Sequence, residues 1–269
     1  MLPRPAIVGC VLLLALSPLA CKRHRAEQST PVTSALVAAR GEIEGSLRAT
    51  LRPEQTWVTF EMKAPLENIF GEAAGATTGE LSVDPRDLTR TTGLVRLDLK
   101  KLVLYQQKRA NASDNFGVRA RSDLQNEHAK TWFEISPDVP PEIRKKNEIV
   151  EFRIDRVTDV SAADITKLSG PKREATFTVI GDLRLHQRVA RKTVAMKGVF
   201  EYEGARPKSI HLTTVEPFPV SLEEHDVRPR KAFQQLAEAT FETLGAKVDK
   251  TPKISLDLRA DLAPVAHSK

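Results

Sequence analysis

Apolar residues recur at every second position in several stretches of this chain. Val58, Phe60 and Met62 alternate with Thr59, Glu61 and Lys63. Ala175, Phe177, Val179, Gly181, Leu183 and Leu185 hold one parity, as do Val194, Met196, Gly198, Phe200 and Tyr202, and Ile254, Leu256, Leu258, Ala260 and Leu262. A period of two means that each segment wets one face and hides the other, which predicts β-strands. Many such strands in one chain either stack as a sandwich or close into a barrel, and a barrel turns its apolar side inward, toward its own side chains or toward a guest.

The pattern sets the order of elements. Residues 35–51 read equally as a short helix or a first strand. The domain proper starts near Trp57 with a strand over 57–64, a small-residue loop over 73–78, and a second strand over 79–84 that ends in the turn Asp84-Pro85-Arg86-Asp87. Val95, Leu97 and Leu99 continue in strand, then the parity slips to Leu102 and Leu104 across Lys100-Lys101, the mark of a β-bulge. Residues 122–133 predict a helix: Ser122 and Gln125 have capping-box spacing, and Leu124, His128 and Trp132 share a face. Pro137, Pro140 and Pro141 argue against regular structure after it. Strands resume at Val150, Phe152 and Ile154, and the 175 and 194 strands form a hairpin through 187–191. A strand over 209–222 carries Pro217 and Pro219, which fits an edge or a bend. Residues 232–244 predict a second helix, with Phe233, Leu236, Ala237, Thr240 and Leu244 on one face and Gly245 as its stop. The last strand covers 253–262. The total is about eight strands and two helices.

Composition narrows the class. The chain has 269 residues, and 41% hydrophobic residues suffice for a core, although aromatics are scarce at 5%. The net charge of +6 is spread among interspersed acids and bases rather than gathered in a stripe with stacking aromatics, which argues against a nucleic-acid partner. Residues 1–20 read as a signal peptide: Arg4 precedes an apolar run over 7–16, too short to span a bilayer, and Ser17-Pro18-Leu19-Ala20 leads to Cys21. That placement resembles the lipidation site of bacterial lipoproteins, with ordinary secretion after Ala20 as the alternative. The expectation is an exported protein, periplasmic or anchored at the outer membrane through a lipid on Cys21. Residues 21–50, opening on Lys22-Arg23-His24-Arg25, form its tether, 51–264 the barrel domain and 265–269 a tail. Cys10 falls within the leader, so the domain has no disulfide.

The strand motifs resemble the YceI-like family. Gly79-Glu80-Leu81-Ser82-Val83-Asp84-Pro85 is similar to that family's glycine-led strand and Asp-Pro turn, and 94–100 to the strand that follows it. Ser122-Asp123-Leu124 through Trp132-Phe133 occupies the place of its short helical stretch. Thr178-Val179-Ile180-Gly181-Asp182-Leu183-Arg184-Leu185-His186 matches its "V-x-G-x-L" strand, except that Leu185-His186 stands where the family usually has Thr and Gly. The resemblance implies a mainly β fold: an eight-stranded antiparallel lipocalin-like barrel with one or two short helices. It also implies a non-catalytic carrier whose partner is an apolar lipid, isoprenoid in some members. The expected lumen lining is Phe60, Met62, Leu97, Phe152, Ile154, Phe177, Val179, Leu183, Met196, Phe200 and Leu256. A filled barrel serving as an envelope interaction module is the alternative.

Catalytic chemistry finds little support in the residues. His225-Asp226, with Arg228 and Arg230, is the one candidate polar site, expected at the barrel mouth with Arg228 paired to Asp226 or Glu224. No nucleophile is tied to it by any motif. The histidines at 24, 128, 186, 211, 225 and 267 show no metal-ligand spacing, and no phosphate-binding or dinucleotide-binding loop occurs, so neither a metal nor a cofactor is expected.

Overall fold

The computed structural model describes residues 30–31, 34–38, 45–228 and 250–265. The residues read as a signal peptide, Cys21, most of the expected tether, Arg230, the expected 232–244 helix with Gly245, and residues 266–269 lie outside the described residues. The strands are β1 (Thr30–Pro31), β2 (Leu47–Leu51), β3 (Trp57–Lys63), β4 (Glu67–Ala74), β5 (Thr77–Val83), β6 (Thr92–Asp98), β7 (Val103–Lys108), β8 (Ala120–Arg121), β9 (Ile149–Thr158), β10 (Lys172–Leu185), β11 (Arg188–Glu203), β12 (Arg206–Thr214), β13 (Phe218–Pro219) and β14 (Lys253–Pro264). Two helices, α1 (Asp123–Trp132) and α2 (Pro141–Asn147), sit between β8 and β9.

The sheet closes. Antiparallel pairing runs β11–β10–β9–β6–β5–β2–β14–β12 and returns from β12 to β11, an eight-stranded barrel. Closure leaves the ring without edges and commits the inward parity of each strand to a common interior. Three long strands are broken midway. β2 and β3 both pair with β14 and are split by the 3-10 turn Pro53–Gln55. β4 and β5 are split at Gly75-Ala76, and β6 and β7 by the 3-10 turn Leu99–Lys101. Past these breaks β3, β4 and β7 form a wing beyond the ring, with β7 paired to β8 rather than to β9.

Helix α1 lies beside this opening. Its Asn126 treats β7 as a neighbouring strand would: the Leu104 N–H donates to Asn126 Oδ1 at 3.0 Å and Asn126 Nδ2 donates to the Leu104 carbonyl at 3.1 Å. Just beyond the helix, His186 Nε2 in the β10–β11 turn donates to Glu134 Oε2 at 2.8 Å. α1 is thus pinned to β7 on one side and to the hairpin on the other. Replacing Asn126 by Ala leaves the Leu104 N–H bare, while the Leu104 carbonyl keeps the Ser122 N–H at 3.0 Å, and is expected to cost about 1 kcal/mol of stability, measurable by urea denaturation.

Several expectations are corrected. The 73–78 segment is strand on both sides of a two-residue kink, because small residues at a strand break resemble a loop in sequence. The barrel begins at Leu47, ahead of residue 51, since Leu47, Ala49 and Leu51 already alternate. The parity slip at Lys100-Lys101 is a 3-10 turn. Pro141 starts α2 instead of preventing it, its fixed φ suiting the first helical turn. β12 has partners on both sides and is no edge, and the two prolines confine the bend to β13. Ser122 caps α1 through the Gln125 N–H, but Gln125 Nε2 donates to Glu67, so the capping box is half formed. Leu124 faces solvent at 59% exposure; the apolar face of α1 is centred on Gln125, His128, Ala129 and Trp132.

Gly181 shows why one position of the "V-x-G-x-L" strand is a glycine. The β9–β10 register shifts between Ile180 and Gly181, where Ile180 faces Arg156 and Gly181 faces Ile154, so Asp155 is the extra residue of a bulge. A Cβ on Gly181 would stand 2.2 Å from the Arg153 carbonyl oxygen, backbone that cannot step aside.

Candidate functional site

The barrel interior is not filled. A cavity of about 270 Å³ runs through two apolar clusters. One is built on Leu81, Val83, Ile154, Val194, Phe200 and Ile210, the other on Leu99, Leu183, Leu185, Val220 and Val227. Phe60, Met62, Leu97, Phe152, Ile154, Phe177, Val179, Leu183, Met196, Phe200 and Leu256 all line this one space. Strand parity brings them together: each belongs to the inward set of its strand, and closure makes those sets converge.

Much of the rest of the wall comes from residues that period-two reasoning passed over. Ile69 and Ala73 belong to the overlooked strand β4. Gly71, between them, lets the Phe60 ring fold flat against the sheet; a Cβ there would stand 2.1 Å from that ring. His128, Ala129, Trp132 and Phe133 come from α1 and its end, and Val220, Leu222 and Val227 from the segment after β13. His128 stacks on Trp132 with centroids 6.3 Å apart and planes 3° apart. Burial lowers the His128 pKa, with Glu67 partly opposing the shift, so the ring that faces the lumen is held toward its neutral form. The side chains lining the cavity are overwhelmingly hydrocarbon, and the polar ones among them are Thr77, Thr91, Gln125 and His128. Such a surface offers transfer energy and shape but almost no hydrogen bonds.

The His225 segment takes a different form from the one expected. His225 is fully buried and not at a mouth. Residues 222–226 form a turn rather than a strand. Its Nδ1–H donates to the Arg188 carbonyl at 3.2 Å, and its own carbonyl lies 3.2 Å from His186 Nδ1. Nε2 is buried without a hydrogen-bond partner. Arg228 pairs with Asp226, one of the two partners expected for it, with Nε to Oδ1 at 2.8 Å, and Lys192 and Glu224 pair at 2.5 Å. The cluster fastens the 220–228 strap to the β10–β11 hairpin, and Val220, Leu222 and Val227 on that strap wall the cavity.

Burial, reinforced by the nearby Lys192 charge and partly opposed by Glu224, lowers the His225 pKa from 6.5 to about 4. A histidine with a depressed folded-state pKa stabilises the fold fully above 6.5, and that stability is lost as pH falls toward 4. Denaturation at pH 7 and pH 4.5 is expected to show about 2–3 kcal/mol of acid destabilisation from this group. The His225→Gln variant should show a correspondingly shallower pH dependence.

No family model matches the chain, and no curated protein matches it. Among solved structures it is similar to a polyisoprenoid-binding domain from Saccharophagus degradans implicated in plant cell wall breakdown. That likeness has 10% identity and a TM-score of 0.46, and covers 80% of this chain and 98% of that one. It is also similar to BcnA from Burkholderia cenocepacia, with 12% identity and a TM-score of 0.46, covering 78% of this chain and 99% of that one. The eight-stranded antiparallel barrel expected from the strand motifs is the architecture observed.

Proposed function

We propose that the protein is a non-catalytic carrier that holds an apolar lipid chain in its barrel lumen. The observation that carries this reading is the hydrocarbon-lined cavity of about 270 Å³ inside a closed barrel. An apolar cavity of about 150 Å³ stays dry and binds benzene. By that measure this one has room for about ten carbons before any wall moves. Ten buried carbons supply about 8 kcal/mol of transfer free energy at ~0.8 per CH₂. Ordering costs then leave a reversible carrier rather than a trap. Longer chains would extend outward from the lumen or part its walls. Isoprenoid chains are the first candidates because the strand motifs resemble those of the YceI-like family. The leader pattern and Cys21 support a lipid-anchored protein of the bacterial cell envelope, where such chains reside.

Titrating the protein with an environment-sensitive apolar fluorophore, N-phenyl-1-naphthylamine, tests the reading. Saturable enhancement at one site per chain, reversed by a prenol, is expected. Enhancement that never saturates, or that a prenol leaves untouched, would contradict it.

A further inference from the structure

We propose that the segment preceding the barrel is clipped to the outer wall, and that this clip turns the end walled by α1 and the 220–228 strap toward a lipid bilayer. The inference rests on the anchored-carrier reading and adds which face of the barrel meets the membrane.

Glu151 on β9 and Arg184 on β10 carry the clip. Their neighbours Val150, Phe152, Leu183 and Leu185 line the cavity, so strand parity points Glu151 and Arg184 outward. Yet these two residues are only 2% and 4% exposed. Segments outside the ring lie over them. The Leu36 N–H donates to Glu151 Oε2 at 2.7 Å, and Arg184 Nη2 donates to the Lys146 carbonyl of α2 at 3.2 Å. Arg96 Nε donates to Glu151 Oε1 at 3.1 Å, and Arg184 Nη1 lies 3.5 Å from Oε2. Extra hydrogen bonds of this kind are what a buried ion pair needs to offset its desolvation. Ahead of Leu36, Thr30 and Pro31 pair with Val189 and Arg188 at the start of β11.

The chain therefore meets the wall beside the β10–β11 turn, at the end where His186 of that turn joins Glu134 just after α1. The opposite end is stitched shut. There the Leu88 N–H donates to the Ala163 carbonyl at 2.9 Å and the Ile165 N–H to the Pro85 carbonyl at 3.0 Å, with both side chains buried. Cys21 precedes Thr30 by nine residues, a reach of at most about 32 Å. Without the clip the leash would run 26 residues to Leu47, about 90 Å. Leu47 pairs with Val83 at the stitched end. The clip thus shortens the leash about threefold and moves its exit from the stitched end to the α1-and-strap end. That end carries Arg144, Lys145 and Lys146 in succession on α2, with Arg188 beyond the turn. These four form no ion pair with a described carboxylate, whereas Arg153, Lys172, Arg191 and Lys197 on the strand walls do. Glu148, Glu224 and Asp226 nearby already hold Lys100, Lys192 and Arg228. Anionic lipid headgroups are the partner that unpaired cations held close to a bilayer fit.

The test is lysine footprinting of the full chain in vesicles of phosphatidylcholine with about a third phosphatidylglycerol. A water-soluble amine-reactive ester labels the lysines, mass spectrometry reads each position, and the same protein in nonionic detergent is the reference. Lys145 and Lys146 report on the presented end, and Lys167 and Lys208 on the stitched end. On vesicles, Lys145 and Lys146 are expected to label about fivefold more slowly than in detergent, the worth of one headgroup contact per cation, with Lys167 and Lys208 unchanged. The double variant Thr30→Pro with Leu36→Pro removes the Leu36 N–H and spoils the β1 pairing without touching the ring. It should lose that contrast between the two ends. Slower labelling at Lys167 and Lys208, or equal labelling at both ends of the wild type, would overturn the proposed orientation. A contrast that survives in the double variant would overturn the clip. Protein that does not stay with the vesicles would overturn the anchor as well, while lumen binding, read separately by the fluorophore, would stand.

Discussion

Replacing Met196 by Trp is expected to lower lumen occupancy by an apolar chain at least tenfold while the fold is kept. Met196 is 5% exposed, lies at the middle of β11 and lines the cavity. Enlarging a residue in a packed core forces neighbours off their rotamers at a cost of about 1–3 kcal/mol. Here the added indole has a void to enter, so the cost should fall at or below the lower end of that range. What the new ring takes is the volume a ligand would use. Circular dichroism should therefore show an unchanged β signal and a melting temperature within a few degrees of wild type, while the fluorophore loses its site. A variant that still binds the fluorophore as tightly as wild type would place the binding site elsewhere.

Phe200→Ala should act in the opposite sense. Phe200 is 1% exposed, among the largest fully buried side chains, and part of the cavity wall. Truncating a buried Phe to Ala typically costs about 3–5 kcal/mol, transfer energy and new void together. A barrel whose core is solid would recover none of that. In a barrel whose core is a binding site, ligand fills part of the new void, and binding to the native state alone restores stability through mass action. The expected result is a large loss of denaturation midpoint in the free variant and a larger ligand-induced gain than in wild type. Equal ligand-induced gains in both proteins would argue that the ligand does not reach Phe200.

The inward residues were legible in the sequence because alternation at one parity survives closure of the sheet. Phe177, Val179 and Leu183 on β10 and Met196 and Phe200 on β11 needed only the period of two to be placed on one surface. The wall contributed by β4 was hidden. Gly71, Ala73 and Ala74 look like loop residues, yet Gly71 is there to accommodate the Phe60 ring. The β10–β11 hairpin was legible, but its turn was placed at 187–191 when only His186 and Gln187 separate the strands, for a related reason. His186 and Gln187 both have positive φ, at 49° and 60°, a conformation that glycine or asparagine would have announced. His225 was singled out as a polar residue at a mouth because buried and exposed histidines look alike in sequence. Its burial depends on the β10–β11 hairpin, whose Arg188 lies far away along the chain. Whether the bore was open or plugged was also beyond period-two reasoning, because lining and filling use the same face and the same residue types. That distinction depends on side-chain volume summed around the ring.

The most direct measurement is the lipid content of the purified protein: organic extraction without added ligand, followed by mass spectrometry and quantitation against protein. The carrier account predicts one chain-bearing lipid in near-stoichiometric amount, absent from the Met196→Trp variant prepared the same way. Protein that is repeatedly lipid-free, and that takes up none when offered it, would contradict the account.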